Sequence, residues 1–264
     1  MCTLVMKRDK ISDMLVAAKT VDTPKTLLTF NRKLRSSTTY EYIFFKMGWQ
    51  KGINSGINEE GLTILSSFAS TTLQEFKTNL QDTRGIANEY ILSHYSYVND
   101  ALEELEVFFS KQPSDVGGIH FLMDATGSMG ILEHEPTNKV KTQMVELDCA
   151  VRANGPLLLQ NTKERLLLDW EDRRLRYDQA KSGLINVTGE SWLDSMKELL
   201  SSHFSKDQLQ TGQLCIHDFE NTGSRSKDLT THCTETALIF DVNRKKLIYS
   251  DGSPCKGHWL ELKI

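Results

Sequence analysis

The amino-acid sequence predicts an α+β chain in which two stacked, mainly antiparallel sheets carry helices on their outer faces, as one unit over residues 1–264. Three observations predict it. Short apolar runs bounded by polar turns open, interrupt and close the chain; two stretches between them change to a helical period; and no linker, repeat or shift of composition divides it.

Taken in order, residues 2–8 and 14–20 read as buried strands. The polar run Arg8-Asp9-Lys10-Ile11-Ser12-Asp13 turns the second back along the first. Strands are expected again at 26–34 and 38–46. They are followed by a hairpin whose Asn58-Glu59-Glu60-Gly61 turn uses Gly61 for a positive φ. From about residue 71 to 112 the period changes, with helices over 86–92 and 98–109, the second having Asn99 and Asp100 near its start. A hairpin of 120–125 and 129–134 turns at Thr126-Gly127-Ser128, and strands at 140–147 and Val151-Arg152 lead into Ala153-Asn154-Gly155-Pro156. Helices over 169–180 and 191–204 follow, with Ser191 as the cap of the latter, and four strands at 213–219, 234–241, 246–250 and 258–264 close the chain.

Composition excludes several functions. The 264 residues are 39% hydrophobic and 25% charged with a net charge of −4, and the longest basic run is Arg244-Lys245-Lys246, so nothing marks a nucleic-acid surface. Lys7, Arg8, Asp9, Lys10 and Asp13 interrupt any signal-like apolar region, and no run is long enough to span a membrane; a cytoplasmic chain is expected. The five cysteines, at 2, 149, 215, 233 and 255, are odd in number and lack paired spacing, which suits a reducing compartment.

The chemistry concentrates at Met1-Cys2. A small second residue permits removal of the initiator methionine, leaving Cys2 with a thiol and an α-amine on one carbon. A thiol near pKa ~8.5 and an amine near ~7.7–8.0 form a nucleophile and base in one residue, with no separate histidine. The hairpin returns Lys19, Thr20 and Asp22 to the level of Cys2. Asp22 is then placed to hold the amine, and Lys19 to favour the thiolate or bind an anionic substrate group.

Cys2-Thr3, Lys19-Thr20-Val21-Asp22, Gly56-Ile57-Asn58-Glu59-Glu60-Gly61-Leu62, Asp124-x-x-Gly127 leading to Glu133, and Ala153-Asn154-Gly155-Pro156 occur in the order seen in one family. Together they resemble the N-terminal-nucleophile (Ntn) amide hydrolases that include the choloylglycine hydrolases, penicillin V acylase and the penicillin acyltransferases. Cys215-Ile216-His217, Thr234 to Asp241 and Gly252-Ser253-Pro254-Cys255 look most like the acyltransferase branch.

The resemblance implies a four-layer αββα sandwich that cleaves a linear amide through a Cys2 acyl-enzyme, without cofactor. The catalytic set it implies is Cys2, Asp22, Asn154 and a late arginine, Arg173 or Arg176, with Arg173 taken as catalytic; Lys19 and Arg176 are assigned to the substrate, and Phe68, an aromatic of the early strands, to an acyl pocket. The implied partner is a small N-acyl amide, with neither nucleic acid nor membrane, and homo-oligomerisation is left open. The chain departs from the family in having lysine at 19 for arginine, Ser66-Ser67-Phe68 where an asparagine is expected, and Thr236-Ala237 in place of a late serine.

Other readings stay beside this one: acyl transfer to an amine acceptor, or a non-catalytic binding relative of the same fold. A metal module built from Cys215-x-His217 with His232-Cys233 is disfavoured, because neither gap follows usual zinc spacing.

Overall fold

The computed structural model describes residues 2–69, 81–112, 114–136, 139–159, 170–204, 212–217 and 233–264. Six strands come first: β1 (Leu4–Asp9), β2 (Met14–Thr23), β3 (Leu28–Lys33), β4 (Tyr42–Met47), β5 (Ser55–Asn58) and β6 (Thr63–Phe68). Helices α1 (Arg84–His94) and α2 (Val98–Lys111) follow, then β7 (Gly118–Met123), β8 (Met129–His134), β9 (Val140–Met144) and β10 (Cys149–Arg152). After α3 (Trp170–Gly183) and α4 (Trp192–Leu200), β11 (Cys233–Asp241), β12 (Lys246–Ser250) and β13 (Trp259–Lys263) complete the chain.

One sheet has the order β10-β1-β2-β11-β12-β13 and the other β3-β4-β5-β6-β7-β8-β9, and every pairing is antiparallel. The alternation of side chains along each strand separates three apolar layers. Leu4, Met6 and Ala17 of the first sheet meet Ile57, Leu65 and Phe121 of the second between the sheets. Their neighbours Val5, Val16 and Ala18 point outward onto Ala180 of α3 and Met196 and Leu199 of α4. On the second sheet Ile64 and Leu122 point the other way, onto Ile91, Leu102 and Leu105 of α1 and α2. The result is an αββα sandwich. Strands covered on both faces read as continuous apolar runs, which is why β1, β2 and β7 stand out in the sequence.

Two close approaches set the loop that enters the site. Gly52, at φ +71°, lies backbone to backbone on Gly85 at the start of α1, where a Cβ on Gly52 would fall 2.2 Å from the Gly85 carbonyl oxygen. Gly61 takes φ +89° in the β5–β6 turn, as its place in the sequence requires.

Some expectations change. Residues 213–217 form no strand: Thr234 N–H donates to the Ile216 carbonyl, but Ile216 N–H turns to the Thr234 hydroxyl, so a side chain replaces the next rung of a ladder. Residues 218 and 219 lie outside the described residues. The strand expected over 140–147 stops at Met144, that over 26–34 covers only Leu28–Lys33, and the helix expected over 191–204 ends at Leu200. Ser191 makes no side-chain cap; Asn99 and Asp100 lie in the first turn of α2 as expected, and there the Asp124 carboxylate accepts the Val98 N–H at 2.9 Å. Among the described residues no helix is long and apolar enough to cross a membrane.

Candidate active site

The strands flanking β1 deliver the site. On one side Thr3 N–H donates to the Thr20 hydroxyl at 3.1 Å and Thr20 N–H returns to the Thr3 carbonyl at 3.0 Å, so the last residues of β2 lie level with Cys2. On the other, Leu4 pairs with Arg152, which places Asn154 just past the end of β10. There the Cys2 nitrogen donates to Asn154 Oδ1 at 2.6 Å. Asn154 holds φ +59°, a left-handed conformation that asparagine tolerates better than most residues. Its Nδ2 donates to the Phe68 carbonyl at 2.8 Å, which ties it to the end of β6 in the other sheet.

The turn behind Asn154 is anchored by Glu133. This buried carboxylate of β8 takes the Arg152 guanidinium at 2.7 Å and the N–H groups of Leu157, Leu158 and Leu159 at 3.0, 2.6 and 3.2 Å. This role was not legible in the order of residues. The signal was a glutamate inside an otherwise apolar strand, a position where a charge survives only when paired.

Of the two arginines expected here, Arg176 reaches Cys2. Its side chain is 0% exposed and Nε is paired with Asp172 Oδ2 at 2.8 Å. Its Nη1 donates to the Cys2 carbonyl at 3.3 Å and the Thr3 hydroxyl at 3.1 Å, and lies 3.4 Å from Asn154 Oδ1. Arg173 comes instead against Gly155, where its Cδ lies 3.9 Å from the place a Cβ would take. The two share a face of α3 at i and i+3, which is why spacing did not separate them.

Lys19 is also fully buried, donating to Asn54 Oδ1 at 2.8 Å and to the Ser66 carbonyl at 2.6 Å. Asn54 is held by the Gly52–Gly85 contact through the Ile53 N–H, which donates to the Gly85 carbonyl at 3.0 Å. Burial lowers the Lys19 pKa, opposed by the adjoining Cys2 side chain and by Asp22. Asp22 is pushed up by burial, against the pull of Arg176 and of the Thr234 hydroxyl, which donates to Oδ1 at 2.7 Å. Lys19 and Arg176, expected on the substrate, are both hydrogen-bonded to the protein around Cys2. Phe68, at 39% exposure, contributes its carbonyl to Asn154 and leaves its ring half in solvent.

Cys2, 9% exposed at the end of the inter-sheet core, therefore sits with its nitrogen on an amide oxygen and its carbonyl under a guanidinium, and with an ammonium beside its side chain. A surface cavity of about 230 Å³ lined by Arg35, Ser36, Tyr40 and His94 includes none of these groups.

The fold recurs in solved structures at low sequence identity. Penicillin V acylase from Agrobacterium tumefaciens superposes at TM-score 0.61 with 15% identity over 100% of this chain and 86% of that one. A Caenorhabditis elegans orthologue of N-acylethanolamine-hydrolyzing acid amidase gives 0.59 and 11% over 92% and 93%. A variant of conjugated bile acid hydrolase from Clostridium perfringens gives 0.54 and 12% over 99% and 92%. No family model matches the sequence, and no curated protein matches it. The chain has the αββα fold of the Ntn hydrolases. Cys2 lies two residues before β1 begins at Leu4.

Proposed function

We propose that this chain is an N-terminal-nucleophile amidohydrolase in which Cys2, freed of Met1, cleaves a linear, non-peptide amide. The observation that carries the reading is the Cys2 nitrogen on Asn154 Oδ1 at 2.6 Å. With Met1 attached this nitrogen is a peptide N–H; once Met1 is removed, an amine in the same place donates one hydrogen to Asn154 and keeps its lone pair for the thiol proton. The sulfur then attacks the acyl carbon, forming the S–C bond, and the amine passes the proton to the departing nitrogen as the C–N bond breaks. Water hydrolyses the thioester and restores the thiol. The second Nδ2 hydrogen of Asn154 is available to the developing oxyanion, since Nδ2 carries two and Phe68 takes one. Arg176 holds the Cys2 backbone, and Lys19 stabilises negative charge on sulfur. Asp22 balances both cations.

The test is a panel of penicillin V, an N-acylethanolamine and a conjugated bile acid, assayed for released amine with intact-mass analysis of Met1 removal and of the acyl-enzyme. Turnover of at least one, with an acyl adduct on Cys2 and none in Cys2→Ala, is the expected result. Iodoacetamide should modify Cys2 ahead of the more exposed Cys149. Retained Met1, or equal turnover by the alanine variant, overturns the reading.

A further inference from the structure

A second cluster of soft ligands lies away from Cys2, where three segments converge. His203 follows α4, Cys215 and His217 belong to the short segment 212–217, and Cys255 sits in the helical turn Pro254–Lys256 between β12 and β13. One donor atom from each of the four lies within 4.8 Å of all the others. His217 Nε2 is 3.7 Å from Cys215 Sγ and 3.1 Å from Cys255 Sγ. The rings of His203 and His217 are 4.9 Å apart, centre to centre.

From this arrangement we propose that His203, Cys215, His217 and Cys255 bind one zinc ion in a closed tetrahedral site. Bonds of ~2.3 Å to sulfur and ~2.0–2.1 Å to nitrogen set tetrahedral edges of roughly 3.3–3.8 Å. The sulfur–nitrogen separations of 3.7 and 3.1 Å fall on either side of the roughly 3.5 Å those bond lengths give a sulfur–nitrogen edge. Two thiolates and two imidazoles are a soft set suited to zinc, and four protein ligands leave no position for substrate, so the site is structural. His203 Nδ1 faces Gln213 Oε1 at 3.2 Å, an outer partner that would hold the ring and leave Nε2 for the metal. His203 and Cys255 are exposed, which gives the ion a way in. Of the module the spacing disfavoured, His232 lies outside the described residues, and Cys233 donates to Glu235 at 2.6 Å and is not among the four.

The site has a consequence for the chain around it. Zinc would join the end of α4, segment 212–217 and the β12–β13 connection. Ile216, between two ligands, is bonded to Thr234, and Thr234 donates to Asp22. The proposal rests on the four side chains alone and stands whether or not Cys2 is a nucleophile.

The test is metal analysis of the full chain, purified under reductant and dialysed against micromolar zinc. One zinc per chain is expected, with cobalt replacement giving thiolate-to-metal charge-transfer bands and tetrahedral d–d bands. Cys255→Ser and His203→Ala, chosen at exposed positions to spare the fold, should each weaken zinc by about tenfold or more, and Cys149→Ser should not. Chelation of the wild type should expose two thiols to a colorimetric reagent and lower the melting temperature. No zinc in the reduced protein, a cobalt spectrum without sulfur bands, or undiminished zinc in both variants overturns the proposal.

Discussion

Cys2 and Cys215 are both buried thiols on the first-sheet side of the molecule, and their neighbours differ in kind. Around Cys2 stand a lysine, an arginine and two aspartates, and among the described residues no imidazole is hydrogen-bonded to it. Around Cys215 stand two imidazoles and a second thiol, and burial pushes its own thiol up. Fixed positive charge stabilises a lone sulfur anion that must attack and leave, whereas neutral nitrogen and sulfur donors need a metal to complete them. On the two proposals made above, the same residue type serves two chemistries according to what non-local packing sets beside it.

The largest expected effect comes from breaking the charge balance at Cys2. Arg176→Met leaves Asp172 buried without its cation, and chemical denaturation should register a loss of about 3–5 kcal/mol. A loss below about 1 kcal/mol would show that the pair is better solvated than its burial indicates. Next, Asn154→Gly keeps the left-handed backbone without strain and removes the acceptor of the Cys2 nitrogen. Its kcat/KM should fall on the order of 10²–10³-fold, with a stability loss of only about 1–2 kcal/mol. Equal kinetics would remove Asn154 from the site.

The smallest effect asks whether buried imidazole alone makes a site. His120 and His134 lie between β7, β8 and α2, with His134 stacked on Phe109 at 3.8 Å and His120 Nδ1 donating to Asn88 Oδ1 at 2.9 Å. No thiol takes part in these contacts. Burial, then the Arg84 charge, lowers His134 to about 3. An unfolded histidine titrates near ~6.5, so between those values the unfolded chain holds a proton that the folded chain lacks. Stability from this group is complete above the unfolded value and declines on acidification, by roughly 1.4 kcal/mol per pH unit. His134→Gln should flatten the slope of unfolding free energy between about pH 6.5 and about pH 4.5 by that amount. An unchanged slope would mean that His134 already carries its proton in the fold.

Much of the architecture was legible because its signals are local. The β1–β2 hairpin, the Gly61 turn and the helical period of α2 depend on residues within a few positions of one another, and they appear where expected. The hairpin also brings β2 back to Cys2, since two strands of known length can meet in few ways. The segment at 213–217 misled because an alternating pattern is shared by a strand and by a loop pinned by one side chain, here Thr234.

By itself, then, the chain's order of residues determined the αββα layering and the return of Lys19 and Asp22 to its first cysteine, because side-chain period and turn chemistry act over short range. Only the tertiary structure decided that Arg176 and not Arg173 bonds the Cys2 carbonyl, and that Glu133 anchors the turn behind Asn154. It alone also brings His203 and Cys255 to Cys215 and His217. Those contacts join segments far apart in sequence, where spacing carries no distance and packing of helix on sheet selects the partner.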